Sequence, residues 1–376
     1  MPRPSKPKPK KANGEGSISF EKDRQKWRAL IYDPAGNRLR ERFNTEAEAK
    51  EWLVLKKAEF ATSTYVPPSN MTVGEWLIEY IKVFRAPNMR PKSLERLLQY
   101  SAHLAPLSDI KLKDIEPYGI QKFYTELPVD MAACSKKKVC GLLKSCLKKA
   151  YALKMIREDV MMPVTPPANN QEEFEEVVVF TMEEINIILT SIKNSKYYSK
   201  YYTFFLLALT TGARLGELLG LKRECVFNGY IRIKNNLQYV KGKFYDMPPK
   251  SKAGVRNITI PSKMETLLKA AMITSRFSPK SDYVFHNQFG GPLIPRNMER
   301  AWERVLKEAK IEHKKFHALR HTHATQLLAA GVPLLEVSKR LGHSSPAITL
   351  KLYAHAIPNY DHQIVLPAVE KIYALN

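Results

Sequence analysis

Apolar and polar residues alternate in short runs near the beginning of the chain, as they do in β-strands. Three segments carry this alternation: Ser17–Phe20, Trp27–Tyr32 and Arg38–Phe43. Asp33–Asn37 is rich in turn-forming residues, and Thr45–Glu48 has the Thr-x-x-Glu pattern of a capping box that opens a helix through Ala61. The pattern predicts a small α+β domain with a three-stranded sheet and one helix.

The next hundred residues follow the helical period, with apolar residues recurring every three or four positions. Helices are predicted near residues 72–85, 92–104, 117–127 and 134–153. Thr72–Glu75 is a second capping box at the start of the first of them. The segment therefore predicts an all-α domain, bounded by the proline-containing linkers Tyr65–Asn70 and Pro163–Glu173.

The remainder of the chain mixes both periods. Tyr201–Leu209 is largely apolar and predicts a buried helix, whereas Tyr230–Ile233 and Arg256–Ile260 alternate like strands. Pro249–Arg256 indicates a hairpin turn between strands. These features predict a mainly α domain with a small antiparallel β-sheet. We expect three domains in all, at residues 1–66, 70–168 and 174–376.

The charge balance points to a polyanionic partner. There are 60 Lys and Arg residues against 37 Asp and Glu, a net charge of +23. The four cysteines form no C-x-x-C pair, which is typical of free thiols in a reducing compartment. No signal peptide is visible, and the longest apolar run, Phe204–Leu209, is too short to span a bilayer. We expect a cytoplasmic protein that acts on nucleic acid and not on membranes.

Two groups of basic residues are candidates for DNA contact. The predicted sheet carries Arg28, Arg38, Arg40 and Arg42, and the helix at 134–153 carries Lys136, Lys137, Lys144 and Lys148. The basic arm at residues 1–12 is either a phosphate-tracking segment or a solubilising tail. For both groups the alternative is an ordinary solvated surface.

Arginines suit the stabilisation of a phosphodiester transition state, because the guanidinium is planar, permanently charged and bidentate toward phosphate oxygens. Arg214 lies between Gly212 and Gly216 at the start of an apolar helix, and Arg320 follows about a hundred residues later. Glu217 would orient a neighbouring side chain or brace the site. The alternative for Arg214 is a structural ion pair with Glu217.

Several histidines surround Arg320. His317 lies three residues before it, so a helix would place both on one side, and His317 is a candidate proton acceptor or phosphate donor. His317 and His321 also have the i, i+4 spacing of metal ligands, but the Arg320 cation between them disfavours a metal. We therefore expect no metal site.

A nucleophile and a general acid complete the candidate set. His343 follows Gly342 at a predicted helix end, and Tyr353 comes ten residues later. A tyrosine hydroxyl, with a pKa of about 10, needs a base or a field of cations to attack at neutral pH. For the acid, Lys252 in the predicted turn is favoured over Lys250, and an ordinary turn lysine is the alternative.

In these motifs the chain resembles the tyrosine recombinases of the phage-integrase family. The resemblance rests on Thr211–Glu217, the Lys252 turn, His317–His321, Leu341–Ser344 and Leu352–His355. It implies a catalytic set of Arg214, Lys252, His317, Arg320, His343 and Tyr353. Tyr353 would form a 3′-phosphotyrosyl link and free a 5′ hydroxyl, which then attacks a partner strand to give a Holliday junction. No metal, ATP or other cofactor is implied, because the phosphotyrosine conserves the bond energy.

The resemblance also implies roles for the three domains. The first resembles the arm-binding domain of integrases from phages and integrative conjugative elements, the second a core-binding domain, and the third the catalytic domain. The implied partners are double-stranded DNA with core and arm sites, a homotetramer on that DNA, and DNA-bending and excision proteins. The implied setting is the bacterial nucleoid, and the implied function is integration and excision of a mobile element.

The end of the chain carries a helical apolar stripe made of Ile364, Ala368, Val369, Ile372 and Leu375. In the family such a tail packs on a neighbouring protomer, and packing on its own domain is the alternative.

Other classes of protein remain open at this point. A tyrosine topoisomerase would only nick and reseal DNA, and a regulator would bind DNA with a vestigial site. A chromosome-type Xer-like resolvase is a further alternative, disfavoured by the additional N-terminal domain.

Overall fold

The structure is a computed structural model that describes residues 15–34, 36–62, 70–167, 177–273 and 281–356, with residues 369, 371 and 372. The chain divides into two compact units, Met1–Gln171 and Glu172–Asn376. The basic arm at residues 1–12, most of the predicted tail and much of both linkers lie outside the described residues. The division into three domains stays a prediction.

The N-terminal part of the first unit is a three-stranded antiparallel sheet in the order β1-β2-β3, covered by one helix. Its elements are β1 Ser17–Glu21, β2 Lys26–Tyr32, β3 Arg38–Phe43 and α1 Glu46–Ala61. Ala29 and Ile31 of β2 pack against Ala49 and Leu53 of α1. The Thr45 hydroxyl accepts a hydrogen bond from the Glu48 N–H, as the capping box predicts. The predicted strands and helix are therefore present.

The rest of the first unit is helical, as predicted. It contains α2 Val73–Tyr80, which continues as a π-helical turn at Ile81–Arg85, then α3 Pro91–Ala102, α4 Pro117–Thr125 and α5 Ala133–Ala152. The apolar face of α5 is central to the core of this part. Buried side chains of neighbouring helices also bond to its backbone: Trp76 Nε1 donates to the Cys146 carbonyl at 3.0 Å, and the Tyr124 hydroxyl to the Cys140 carbonyl at 3.0 Å.

The second unit is mainly helical. Its helices are α6 Met182–Asn194, α7 Tyr202–Thr211, α8 Leu215–Leu219, α9 Ser262–Ile273, α10 Pro295–Glu308, α11 Ala318–Ala329, α12 Leu334–Leu341 and α13 Pro346–Tyr353. Aromatic side chains fill the centre: the Phe205 ring of α7 lies 5.3 Å from the Trp302 ring of α10, and Phe316 contacts both. The predicted buried helix is α7. Among the described residues no helix is both long and apolar enough to cross a membrane.

The strands of the second unit form two sheets instead of the single small sheet predicted. The strands are β4 Val226–Phe227, β5 Tyr230–Ile233, β6 Asn236–Val240, β7 Lys243–Met247 and β8 Arg256–Thr259. The order in one sheet is β4-β5-β8, while β6 and β7 pair separately.

The hairpin predicted at Pro249–Arg256 is wrong, because the strands on its two sides, β7 and β8, belong to different sheets. Two prolines, Pro248 and Pro249, follow β7 and cannot donate to a β-ladder, so the pairing ends there. The connection instead contains a short 3₁₀ turn at Lys252–Gly254.

Candidate active site

Two left-handed glycines shape the candidate site. Gly212 ends α7 with a φ of 61°, and a Cβ there would lie 2.7 Å from His323 Cδ2 of α11 and 2.9 Å from Leu341 Cδ2 of α12. Gly342 ends α12 with a φ of 67°. Only glycine combines this conformation with such close packing. The two turns therefore bring the ends of α7 and α12 against α11.

A buried carboxylate joins two arginines beside these turns. Glu217, which is 2% exposed, accepts from Arg214 Nη1 at 2.8 Å and from Arg256 Nη2 at 2.9 Å. Burial opposes the ionisation of Glu217, but Arg256 and Arg214 outweigh burial and hold its pKa below 4.5. The ion pair considered as the structural alternative for Arg214 is therefore present. It leaves the Arg214 side chain 38% exposed, with further donors available to a ligand.

Arg320 is the most deeply buried cation of the candidate set, at 3% exposure. Its Nη1 donates to the Gly212 carbonyl and its Nη2 to the Leu341 carbonyl, both at 2.8 Å. Burial, and then the charge of Arg214, lower its pKa to about 9. A buried guanidinium whose described hydrogen-bond partners are two carbonyls favours an anion on its remaining donors.

His343 lies at the corner between α12 and α13. Its Nδ1 is 2.7 Å from the Thr349 hydroxyl, and Thr349 is fully buried. Partial burial, and then the cations Arg320 and Arg214, lower the pKa of His343 to about 4. When Thr349 donates to Nδ1, the ring proton lies on Nε2, which makes Nε2 a hydrogen-bond donor.

Lys252 begins the 3₁₀ turn next to this corner. The turn is close to the site because a Cβ on Gly342 would lie 3.0 Å from the Ala253 carbonyl oxygen. The Lys252 side chain is exposed and has no described hydrogen bond or ion pair, and Lys250 is also exposed. The choice between the two lysines as general acid stays a prediction.

Tyr353, at the end of α13, is 0% exposed and packs among Ala324, Leu328, Val337 and Leu341. Its hydroxyl is 2.7 Å from His321 Nδ1. Burial raises the pKa of Tyr353 to about 12, against the opposing effect of Arg320 and Arg214. The phenol is therefore protonated at neutral pH and requires a proton acceptor before it can attack.

His317 and His321 occupy different positions in this arrangement. His317 precedes α11 and is exposed, and its ring lies 4.7 Å from the His321 ring at 88°. Crowding by protein, and then His321 and Arg320, lower the pKa of His317. The sequence predicts His317 as a proton acceptor or phosphate donor, whereas the hydrogen bond that the structure describes on Tyr353 is to His321.

Three of these residues were not assigned a role from the sequence: Arg256, His321 and Thr349. Arg256 donates from Nε to the Arg340 carbonyl at 2.6 Å as well as binding Glu217, so it connects β8, α8 and the end of α12. His321 does carry a sequence signal, because it follows His317 by one helical turn. Arg256 carries none, because its partners Glu217 and Arg340 lie 39 and 84 residues away along the chain. Thr349 carries none, because a threonine within a helix does not show by its type or position that it will bond to His343.

The four arginines predicted on the N-terminal sheet lie on one of its faces. Arg28 is directly opposite Arg42, and Arg40 and Arg38 are opposite Leu30 and Tyr32, all at even positions along β2 and β3. The other face packs on α1. Glu21 forms ion pairs with Arg28 at 2.9 Å and with Arg42 at 2.7 Å. No pattern in the sequence predicts this role for Glu21.

The lysines predicted on α5 do not all share one direction. Lys137, Lys144 and Lys148 are exposed and spaced by seven and four residues, which places them on one face. Lys136 is half-buried and about 100° around the helix from Lys137. Lys148 also lies 3.7 Å from Asp159. The structure thus brings three of the four lysines together.

Comparison with known proteins relates the whole chain to recombinases. Residues 179–359 match the phage integrase family. The chain is 29% identical to a tyrosine recombinase XerC-like protein of Caldanaerobacter subterraneus, over 87% of this chain and 90% of that protein. It is 25% identical to a prophage phiRv2 integrase described as putative, from Mycobacterium tuberculosis, over 90% of this chain and 91% of that protein.

Solved structures show the same fold. The Tn1549 transposon integrase in complex with transposon right end DNA superposes with a TM-score of 0.67 at 21% identity, covering 81% of this chain and 100% of that one. A lambda integrase tetramer bound to a Holliday junction gives a TM-score of 0.58 at 17% identity, covering 94% and 99%. The family match spans Arg214 to Tyr353 and so includes every side chain of the candidate site. Together these similarities identify the chain as a site-specific tyrosine recombinase.

Proposed function

We propose that this recombinase integrates and excises a mobile element by cleaving DNA with Tyr353. The observation that carries the proposal is the arrangement around Arg320, a buried guanidinium held by two carbonyls. Arg320 and Arg214 both lie close enough to His343 and to the protonated Tyr353 to lower the pKa of each. Such a pocket has excess positive charge and a nucleophile, but among the described groups only Glu217 as its buried anion. A phosphodiester supplies the missing negative charge.

The catalytic roles follow from the donors that are available. Arg214 and Arg320 bind the non-bridging oxygens of the phosphate, where charge accumulates in the transition state. His317 and His343, as neutral imidazoles, each donate one hydrogen bond to the same group. Lys252 reaches the leaving 5′ oxygen from its exposed turn and protonates it.

Strand exchange then needs no external energy source. Tyr353 Oη forms a bond to phosphorus and the bond from phosphorus to the 5′ oxygen breaks, leaving a 3′-phosphotyrosyl link. The 5′ hydroxyl of the partner strand attacks that link and releases the tyrosine, which gives a Holliday junction. A second round resolves the junction. No cofactor takes part in this scheme.

DNA binding is assigned to both basic surfaces. Arg38 and Arg40 are exposed on the arginine face of the N-terminal sheet, and a sheet face of this kind fits a DNA groove. The lysine face of α5 meets phosphates of the core site, and Lys136 contributes from its edge. On this assignment residues 1–66 bind arm sites, residues 70–168 bind the core site and residues 174–376 cleave it. Two linked modules raise the effective concentration of each at its own site.

We further propose a homotetramer on paired sites, assisted by DNA-bending and excision proteins and located on the bacterial nucleoid in the cytoplasm. The lambda integrase that shares this fold is a tetramer on a Holliday junction. The apolar tail beyond Pro358 links the protomers in this scheme. Truncation after Pro358 should abolish cooperative assembly on paired sites while leaving binding to a single core site intact, and unchanged assembly would contradict the role of the tail.

The proposed nucleophile is tested with a nicked core-site duplex in the presence of EDTA. Covalent protein–DNA adduct is scored on a denaturing gel for the wild type, for Tyr353→Phe and for the matched control Tyr197→Phe, an exposed tyrosine outside the site. We expect adduct in the wild type and the control, and none in Tyr353→Phe. Adduct in Tyr353→Phe would place the nucleophile at another residue.

The second candidate function is that of a chromosome-type Xer-like resolvase, favoured by the relative that is named XerC-like. The N-terminal sheet domain favours a mobile-element integrase instead, because arm binding explains its arginine face. Recombination between two copies of a chromosomal resolution site, without recombination of sites from the flanks of the protein's own gene, would favour the resolvase.

A further inference from the structure

The hydrogen bond between Tyr353 and His321 joins two helices at the centre of the site. The Tyr353 hydroxyl is 2.7 Å from His321 Nδ1, and the two rings are 5.7 Å apart at 55°. Tyr353 is 0% exposed, so solvent does not compete for its hydroxyl. Among the described residues His321 is the hydrogen-bond partner of this hydroxyl.

The chemistry of both groups sets the direction of this bond. Burial, and then the Arg320 cation, lower the pKa of His321, so the ring is neutral at neutral pH and has one nitrogen free to accept. The pKa of Tyr353 is raised, so its phenol keeps the proton. The hydroxyl therefore donates and Nδ1 accepts, which leaves the remaining ring proton of His321 on Nε2.

The neighbouring histidine does not compete for this position. His317 is exposed and meets His321 edge to face, with ring centres 4.7 Å apart. It has no described hydrogen bond to Tyr353. Its exposure places it toward incoming DNA, whereas His321 contacts the atom that reacts.

We propose that His321 is the general base for strand cleavage, taking the proton of Tyr353 through Nδ1. The inference rests on the proposed role of Tyr353 as nucleophile. As Oη bonds to phosphorus, the hydroxyl proton moves to His321 Nδ1, the bond from phosphorus to the 5′ oxygen breaks, and Lys252 gives a proton to that oxygen. In rejoining, the His321 imidazolium returns its proton to Oη as the phenolate leaves.

DNA binding makes the transfer easier. The phosphodiester brings a negative charge near His321 and offsets the cations that lower its pKa, so the charged imidazolium becomes more favourable when the nucleophile is needed. The titratable and charged groups that the described structure places against His321 are Arg320 from α11, His317 from the residue before α11, and Tyr353 from α13. Arg214, at the start of α8, acts in turn on His317 and Tyr353.

The test measures single-turnover cleavage with two matched substitutions of His321. His321→Leu removes the acceptor, whereas His321→Asn places an amide near the position of Nδ1 and can accept a hydrogen bond but not a proton. We expect both to lower the cleavage rate by about 10²- to 10⁴-fold, the range of general-base catalysis. His313→Leu, the same substitution at an exposed histidine before α11, should leave the rate unchanged. A wild-type rate in His321→Asn would overturn proton transfer.

A second substrate distinguishes the proposed role of His321 as general base from that of Lys252 as general acid. With sulfur in place of the 5′ bridging oxygen, the leaving thiol has a pKa of about 8.5 and departs without a general acid. We expect Lys252→Ala to cleave this substrate at nearly the wild-type rate and both His321 variants to stay slow. Rescue of the His321 variants by sulfur would mean that His321 assists the leaving group, and would overturn the assignment.

The pH profile gives an independent readout. Wild-type cleavage should be constant from about pH 7 to 9, because the lowered pKa of His321 keeps it neutral there. In His321→Asn the rate should rise about tenfold per pH unit, because the phenol must ionise by itself. A flat profile in His321→Asn would overturn the inference. Failure of Tyr353 as nucleophile is seen separately, as adduct formation by Tyr353→Phe.

Discussion

Arg320 of the candidate active site and two arginines of the N-terminal sheet differ in their burial and in the charge of their partners. Arg320 is 3% exposed and is held by two carbonyls, which carry partial charge only. Arg28 and Arg42 are about one-third exposed, and both bind the carboxylate of Glu21. Arg320 thus has no described carboxylate partner although it is buried, whereas Arg28 and Arg42 have one although solvent already screens their charge.

This difference between Arg320 and the sheet arginines indicates what kind of ligand each site favours. Desolvating a guanidinium is costly, and an anion that enters the pocket recovers much of that cost through strong, unscreened interactions. That arrangement suits one phosphate in one geometry. On the sheet, water and salt screen each charge, so the DNA binding that we propose there should depend on the number of phosphate contacts and on ionic strength. There Glu21 pairs with Arg28 and Arg42, so we expect it to limit how strongly these two arginines bind a phosphate.

The largest effect is expected for removal of the buried cation. Arg320→Ala should lower single-turnover cleavage by at least about 10³-fold, since a single lost oxyanion donor typically costs 10²- to 10³-fold. Arg320→Lys should recover little, because a compact ammonium does not reproduce the planar fork of five donors that reaches two carbonyls and leaves further donors for a phosphate. Cleavage is measured with the nicked core-site duplex. Arg300→Ala, at an exposed position of α10, is the control and should cleave normally. Near-normal cleavage by Arg320→Lys would show that charge alone suffices there.

The next effect concerns the carboxylate that holds two arginines. Glu217→Gln should lower cleavage by about 10²-fold and reduce the free energy of unfolding in urea by about 3 kcal/mol, because Arg256 loses its buried partner. Glu299→Gln, which breaks an exposed pair with Arg296 at 3.6 Å, is the control and should change stability by less than about 1 kcal/mol. Equal stability losses in the two variants would contradict the importance of burial.

The same residue predicts a pH dependence of stability. The pKa of Glu217 is lowered in the folded protein, so its ionised form stabilises the fold at pH values above the unfolded pKa of 4.5. That contribution is lost as the pH falls below 4.5 and through the folded pKa. Urea unfolding from pH 7 to 3 should therefore show a smaller acid-induced loss in Glu217→Gln than in the wild type. An identical loss in both would show that Glu217 does not titrate in this way.

A smaller effect is expected on the sheet. Arg40→Ala should weaken binding to arm DNA and reduce the slope of log affinity against log salt by about 0.9, which corresponds to one phosphate contact. Cleavage of a substrate with only the core site should not change. Lys57→Ala removes the same charge from α1, which covers the opposite side of the sheet, and should leave the slope as in the wild type. A similar decrease in both variants would point to overall charge instead of contacts.

The smallest effect has the opposite sign. Glu21→Gln frees Arg28 and Arg42, so affinity for arm DNA should rise by about fivefold or less and the salt dependence should become steeper. Glu41→Gln makes the same change in charge on β3 without a described arginine partner and should have a weaker effect. Titrations at several salt concentrations measure both. A loss of affinity in Glu21→Gln would mean that Glu21 orients the arginines productively.

Local features of the chain were predicted well from the sequence. The capping boxes at Thr45 and Thr72 start helices as expected, because each is completed within four residues. The four arginines of β2 and β3 lie on one face of the sheet, because successive side chains along a strand alternate between the two faces, which is also a local property of the chain. The turn at Pro249–Arg256 was wrong, because strand pairing is a long-range property that turn residues do not reveal.

From the amino-acid sequence alone it was possible to predict most helices and strands and to name most of the polar side chains of the candidate site. The motifs around Arg214, Arg320, His343 and Tyr353 could be recognised because residue type and order are written in the chain. The hydrogen-bond partners of these side chains follow from the tertiary structure alone. Tyr353 bonds to His321, Glu217 to Arg256, and Arg320 to two backbone carbonyls. These partners are 21 to 108 residues apart along the chain, so they meet only when the helices and strands pack. Packing also buries the groups and sets their pKa values, since burial and neighbouring charges are properties of the folded protein.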